Sequence, residues 1–199
     1  ERFMGMNKEL RIKNQGEVKI LFVGKLTPKK RPFDLLEAFK NLQPTTNNQQ
    51  PNLIFIGDGI LRPQLEKYAQ DHNLTNVYFT GFINQTELPK YYAQADIFVL
   101  PSGMGETWGL VVNEAMCASL PIIASDTVGC MSDLVQEGKN GFIYPTGDIK
   151  KLKEHLQKLV KNQELRKSFS ETSYNTIKAF SYEEDIKGIL KALQTCNPP

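Results

Sequence analysis

The feature that most restricts this chain is a set of short, continuously apolar runs closed by small or turn-forming residues: "VKILFVG" (18–24), "NLIFIG" (52–57), "NVYFTG" (76–81), "DIFVLPS" (96–102), "PIIAS" (121–125) and "GFIYP" (141–145). Runs of this length read as strands, and their lack of polar alternation means that both sheet faces are covered. Between them lie stretches with apolar residues at helical spacing: "PFDLLEAFKNL" (32–42), "ILRPQLEKYAQDHNL" with Leu61, Leu65 and Tyr68 on one face, "TELPKYYAQA" (86–95) and "GLVVNEAMCAS". This alternation predicts an α/β fold, a doubly wound parallel sheet in three layers, α/β/α. From residue 148 the chain reads as three charged helices, the last opened by a capping box of Ser181 and Glu184. "NLQPTTNNQQPN" (41–52) reads as a polar linker within the domain.

A chain of 199 residues can bury roughly 70% of its unfolded surface and build one complete core. Its formal charge of +2 is too small for a general affinity for nucleic acid or acidic membranes. No nucleic-acid partner is therefore expected, and any anion site must be local. Peripheral membrane contact needs only a small surface and stays compatible. Cys117, Cys130 and Cys196 are odd in number and lack ligand spacing, which argues against a disulfide framework or structural zinc and favours a reducing, cytoplasmic setting. No apolar stretch approaches the roughly 20 residues that span a bilayer. The start, "ERFMGMNKELRIK", has no signal-peptide apolar core.

In such a sheet, ligands lie beyond the carboxyl ends of the strands. The loop "GKLTPKKRP" concentrates Lys25, Lys29, Lys30 and Arg31 at that edge, where cations and helix N-terminal amides face a phosphate together. A solvated cationic turn is the competing reading. Neither common nucleotide motif is present: GxxxxGK[ST] is missing, and "GDGILR" (57–62) has Arg62 where GxGxxG needs its third glycine.

"PSGMGETWGLVVNEAM" (101–116) is more specific. Gly109 opens a helix, and the first-turn amides of Gly109, Leu110 and Val111 make an anion seat. Glu106 precedes the helix and Glu114 lies about one and a half turns into it, so they flank the seat. Both carboxylates repel a diphosphate but accept hydrogen bonds from hydroxyls, at about 1.5–3 kcal/mol each. A diphosphate with a hydroxyl-rich group at each end, a nucleotide sugar, suits all three features. Taken singly, Glu114 also reads as a solvated helix residue and Glu106 as a loop charge. Trp108 is the stacking candidate beside the seat, Tyr91 and Tyr92 read as packing residues, and His72 and His155 read as surface residues. No cluster suggests a metal.

Taken in order, "VGKLTPKKRPFDLLEAF", "GDG", "FTGFI", "ADIFVLPS" and "GETWGLVVNEAMCASLPIIAS" resemble the nucleotide-binding half of the retaining group 1 (family 4 type) glycosyltransferases, over about residues 17–148. The resemblance implies one Rossmann-like half of the two-domain GT-B fold. It implies that Lys25 and Lys30 neutralise the donor diphosphate, Glu106 contacts the transferred sugar, and Glu114 holds the ribose hydroxyls. Gly109, Leu110 and Val111 would lie beneath the phosphates, and Phe82 and Ile83 would meet the base mainly through backbone. The donor is then a nucleotide-diphosphate sugar, used without cofactor or metal, and the acceptor a glycan, lipid or small molecule. Residues 1–16 are expected to end an interdomain linker, 17–180 to form the donor domain, and 181–199 to form a helix crossing to an N-terminal domain that a chain this short lacks. Alone, such a chain should bind without transferring. A same-fold nucleotide-sugar epimerase, a sugar phosphorylase or a non-catalytic nucleotide-binding module would share the seat. Two departures from the family pattern stand out: Arg31 and Cys130 occupy positions where relatives usually have glycine.

Overall fold

The computed structural model describes residues 17–42 and 50–196; the expected linker end at 1–16 and most of the polar linker at 41–52 lie outside the described residues. Six strands, β1 (Lys19–Val23), β2 (Asn52–Ile56), β3 (Val77–Gly81), β4 (Ile97–Leu100), β5 (Ile122–Ser125) and β6 (Gly141–Tyr144), form one parallel sheet in the order β3-β2-β1-β4-β5-β6. Each corresponds to one apolar run of the sequence.

Along β1, Ile20 and Phe22 point into one core while Leu21 and Val23 point into the other. Because successive strand residues face opposite sides, covering both faces demands an uninterrupted apolar run. The first core is closed by α1 (Pro32–Lys40), α2 (Arg62–Asp71), α6 (Ile149–Lys161) and Phe169 of α7 (Gln163–Ile177). The second is closed by α3 (Leu88–Gln94), α4 (Leu110–Cys117), α5 (Met131–Leu134) and Ile177. The short helix α5 and a 3-10 turn at Pro28–Lys30 carry no clear periodicity and were not expected from the sequence.

His155 corrects the sequence reading. It is 3% exposed rather than on the surface, stacked on Phe142 with ring centroids 4.5 Å apart, and neither ring nitrogen has a hydrogen-bond partner. Its place in the stripe Leu152, His155, Leu156, Leu159 and Val160 explains this, since the 3-4 spacing turns all five toward the sheet. Burial, reinforced by Lys158 and Lys151, lowers its pKa to about 4, so the ring is neutral at pH 7.

The last helix, α8 (Tyr182–Cys196), begins where the capping box placed it. The Glu184 amide donates to Ser181 Oγ at 3.4 Å, while the Glu184 carboxylate pairs with Lys187 instead of closing the box. Ile186, Ile189, Leu190 and Leu193 form an apolar stripe along α8, each more than half exposed.

Candidate functional site

Strand order reverses at β1, which pairs with β2 on one side and β4 on the other. The loops leaving β1 and β4 therefore diverge over a crevice, the place where open α/β sheets bind ligands. These two loops carry the basic cluster and Glu106, and Glu114 follows on α4.

The β1–α1 loop leads through exposed Lys25 into the 3-10 turn that ends at Lys30. There the Lys30 ammonium forms an ion pair with Glu106 of the β4–α4 loop; both side chains are more than four-fifths buried. The main chains join as well, the Gly103 amide donating to Lys29 O at 2.7 Å.

Arg31 follows with φ 48° and ψ 45°, in the left-handed region. That conformation explains why glycine suits this position: a side chain there crowds its own carbonyl by roughly 1–2 kcal/mol. Arg31 offsets the strain by donating Nε to Asp34 Oδ2 at 2.7 Å. Its side chain lies against Gly103 and Gly147, so it ties the β1–α1 loop to the loops after β4 and β6. Arg31 thus holds the left-handed position with its side chain anchored on three sides.

Helix α4 starts at Gly109, whose φ of 90° and packing both require glycine: an added Cβ would sit 2.9 Å from Val128 Cγ1 and 3.3 Å from Leu100 Cδ2. The same added atom would be 3.7 Å from Glu106 Cγ, so the glutamate side chain lies beside the helix start. Val112 N reaches Gly109 O at 2.8 Å, while the preceding amides of Leu110 and Val111 have no intrahelical acceptor. These two amides lie next to the Lys30–Glu106 pair, at the position where the sequence places an anion seat.

The second departure is equally well accommodated. Gly129 N donates to Glu106 O and Cys130 N to Trp108 O, each at 3.0 Å, so the β5–α5 turn clips the glutamate loop in place. Gly129 must be glycine, because a Cβ would fall 1.9 Å from Thr107 O. Cys130 needs no such freedom at φ −80°, and its buried thiol, pushed up to about 12 by burial, is inert.

Glu114 is partly buried, and its Oε2 accepts 2.8 Å from the hydroxyl of fully buried Tyr92 on α3. Burial raises the Glu114 pKa and the Tyr92 bond works against that rise. Tyr92 itself is held well above the usual phenol range, chiefly by burial, and remains a donor. The sequence placed Tyr92 in the core but gave no sign of this bond. Trp108 is half-buried against the second core, with Nε1 donating to Asn113 Oδ1 at 2.9 Å. Phe82 is 81% exposed just past β3, and Ile83 packs beside it against the second core.

Exposed Ile60, Phe82, Met104 and Leu110 all stand on this carboxyl edge, making it an open shelf with an apolar margin. A separate cleft of about 700 Å³, lined by Asp96, Arg166 and Tyr174 among others, runs along α7 from the opposite, amino end of β4. No group of three His, Cys, Asp or Glu among the described residues is placed to hold a metal ion. Nor is any helix among the described residues long and apolar enough to cross a membrane.

Residues 7–176 match the family model of the glycosyl transferases group 1. The chain belongs to the group 1 glycosyltransferases. This glycosyltransferase chain is 31% identical over 193 residues to an uncharacterised glycosyltransferase of Methanocaldococcus jannaschii, which covers 96% of the chain and 52% of that relative. It is 34% identical over 170 residues to the sulfoquinovosyl transferase of Arabidopsis thaliana, covering 83% and 31%. The Anabaena protein HepE, solved in complex with UDP, superposes with a TM-score of 0.82 at 21% identity, covering 98% of the chain and 54% of that structure. The chain thus spans from just under a third to about half the length of these relatives. Its structural neighbours share the GT-B glycosyltransferase fold, of which this sheet is one Rossmann-like half.

Proposed function

We propose that this chain is the donor-binding half of a retaining glycosyltransferase, and that it holds a nucleotide-diphosphate sugar across the crevice between β1 and β4. The observation that carries this reading is the meeting of Lys30 and Glu106 from two different loops beside the open first turn of α4. In the unliganded chain the two charges satisfy each other. A donor would replace that pairing: the diphosphate takes Lys30, Lys25 and the amides of Gly109, Leu110 and Val111, while a sugar hydroxyl takes Glu106. Glu114, with Oε2 already bound by Tyr92, has a second oxygen for the ribose hydroxyls. Phe82 and Ile83 border the base, and Trp108 packs behind the seat.

Catalysis then rests on positioning and on stabilising the charge that grows on the departing diphosphate. Lys25, Lys30 and the helix amides supply that stabilisation without a metal. The nucleoside diphosphate departs from the anomeric carbon on the same face that the acceptor hydroxyl, of a glycan, lipid or small molecule, attacks. The C–O bond to phosphate breaks as the C–O bond to the acceptor forms, and the leaving phosphate takes the acceptor proton. An N-terminal half would bring the acceptor, and the apolar stripe of α8 supports the presence of such a covering partner. On this reading the chain alone binds donor without turning it over, in a cytoplasmic setting.

UDP is the first ligand to test, since the HepE neighbour binds it. Calorimetry with UDP, GDP and ADP, followed by a crystal structure with the tightest, should place the pyrophosphate between Lys25, Lys30 and the amides near Gly109. A pyrophosphate bound anywhere else overturns the reading.

A further inference from the structure

The solvent face of α6 carries Lys150, Lys151, Lys153, Lys158 and Lys161 with Glu154 as its one acidic residue, on a chain whose formal charge is only +2. Its opposite face is fixed in the first core by Leu152, Leu156, Leu159 and Val160, so the helix cannot rotate its charge away. The lysines are exposed at 150, 151, 158 and 161 and half-buried at 153.

This arrangement is not what helix stability alone would select. Lys150, Lys151 and Lys153 lie in or next to the first turn, where the helix dipole disfavours cations. Only Lys151 has a helical ion pair there, to Glu154 at 3.3 Å. On other helices, Lys67, Lys90, Lys167 and Lys187 of α2, α3, α7 and α8 each pair with a carboxylate one turn away. The positive field of the α6 face extends inward as well, where Lys158 and Lys151 help keep His155 neutral.

We infer that this lysine face of α6 docks the protein on an anionic lipid bilayer surface. All the cations are lysines, compact point charges suited to a diffuse field; arginine, the residue suited to forked recognition of one phosphate, is missing from the helix. The face presents no aromatic or large apolar side chain to stack on a base or insert into acyl chains. Laterally mobile anionic headgroups match such a row of charges, and four to eight lysines on one amphipathic helix are the pattern of an anionic-lipid contact. The contact is therefore interfacial and salt-sensitive.

The test is co-sedimentation of the chain with phosphatidylcholine vesicles, with and without 30% phosphatidylglycerol. Binding is expected only with phosphatidylglycerol at about 50 mM salt, and should be lost near 500 mM. Lys150→Glu/Lys158→Glu should weaken partitioning by at least tenfold, from about fivefold per lysine. Lys67→Glu/Lys90→Glu, on α2 and α3, should bind as the unaltered chain does, and circular dichroism should show both variants folded. Equal binding to uncharged vesicles, no binding to either, or equal losses in both variants overturns the inference. So does tighter binding, at the same salt, to heparin or an oligonucleotide that depends on the same two lysines, which would assign the face to a soluble polyanion. None of these outcomes depends on the donor site.

Discussion

The Tyr92 hydroxyl, fully buried on α3, donates a 2.8 Å hydrogen bond to Glu114 on α4. This bond holds a partly desolvated carboxylate in one orientation at the candidate ribose position. It also opposes the rise in pKa that burial imposes on Glu114. Tyr92→Phe should weaken nucleoside diphosphate binding by about 1 kcal/mol, with the loss deepening as pH falls toward 5. Glu114→Gln should weaken it by about 1–3 kcal/mol yet raise the melting temperature at pH 7. The sign follows from the raised folded-state pKa: the ionised group costs stability above that pKa, and the cost vanishes below the ordinary value of 4.5. Calorimetry and thermal melts at pH 5 and 7 check both variants.

Lys30→Ala removes a cation from the crevice and leaves Glu106 facing it alone. Affinity for UDP should fall roughly tenfold to a hundredfold, while affinity for uridine should change little. Equal losses for the two ligands, measured by the same titration, would remove the phosphate role.

Arg31 is strained at φ 48° but tied to Asp34. Arg31→Gly relieves about 1 kcal/mol of backbone strain and gives up an ion pair worth about the same, so the melting temperature should move by only a few degrees. Arg31→Ala keeps the strain without the pair and should melt lower than Arg31→Gly. Both should bind UDP several-fold more weakly, because the β1–α1 loop loses the Arg31 side-chain contacts with Gly103 and Gly147 and keeps only the main-chain bond to Gly103.

His155 should leave a signature in stability against pH. The unfolded chain protonates this ring below pH 6.5, whereas the folded chain resists until about pH 4. Stability is therefore lost as pH falls through that window, with a slope of up to about 1.4 kcal/mol per pH unit from this residue. His155→Phe should flatten urea-melt stability between pH 6.5 and 4.

What the sequence disclosed was whatever repeats at short range. All six strands were legible because covering two faces leaves an unbroken apolar word such as "ILFV" or "IFVL". The glutamates of the β4–α4 region were legible because their spacing straddles a helix start. Contacts between distant segments were not. The Tyr92–Glu114 bond joins residues 22 apart and the Lys30–Glu106 pair joins residues 76 apart, and neither leaves a local pattern. His155 was misplaced for a different reason: its lysine neighbours suggested solvent, although the 3-4 spacing of Leu152, Leu156 and Leu159 already set it inward. Arg31 showed as a departure from the family, but only its backbone angles explain how the loop accepts it.

The two amides at Gly129 and Cys130 hold the carbonyls of Glu106 and Trp108 before any ligand arrives. The main chain that carries Glu106 is therefore held by the β5–α5 turn independently of the glutamate side chain, whose tip stays free to change partner. It also means that the stretch following β5 is where selection or engineering could retune the aim of Glu106 by fractions of an ångström.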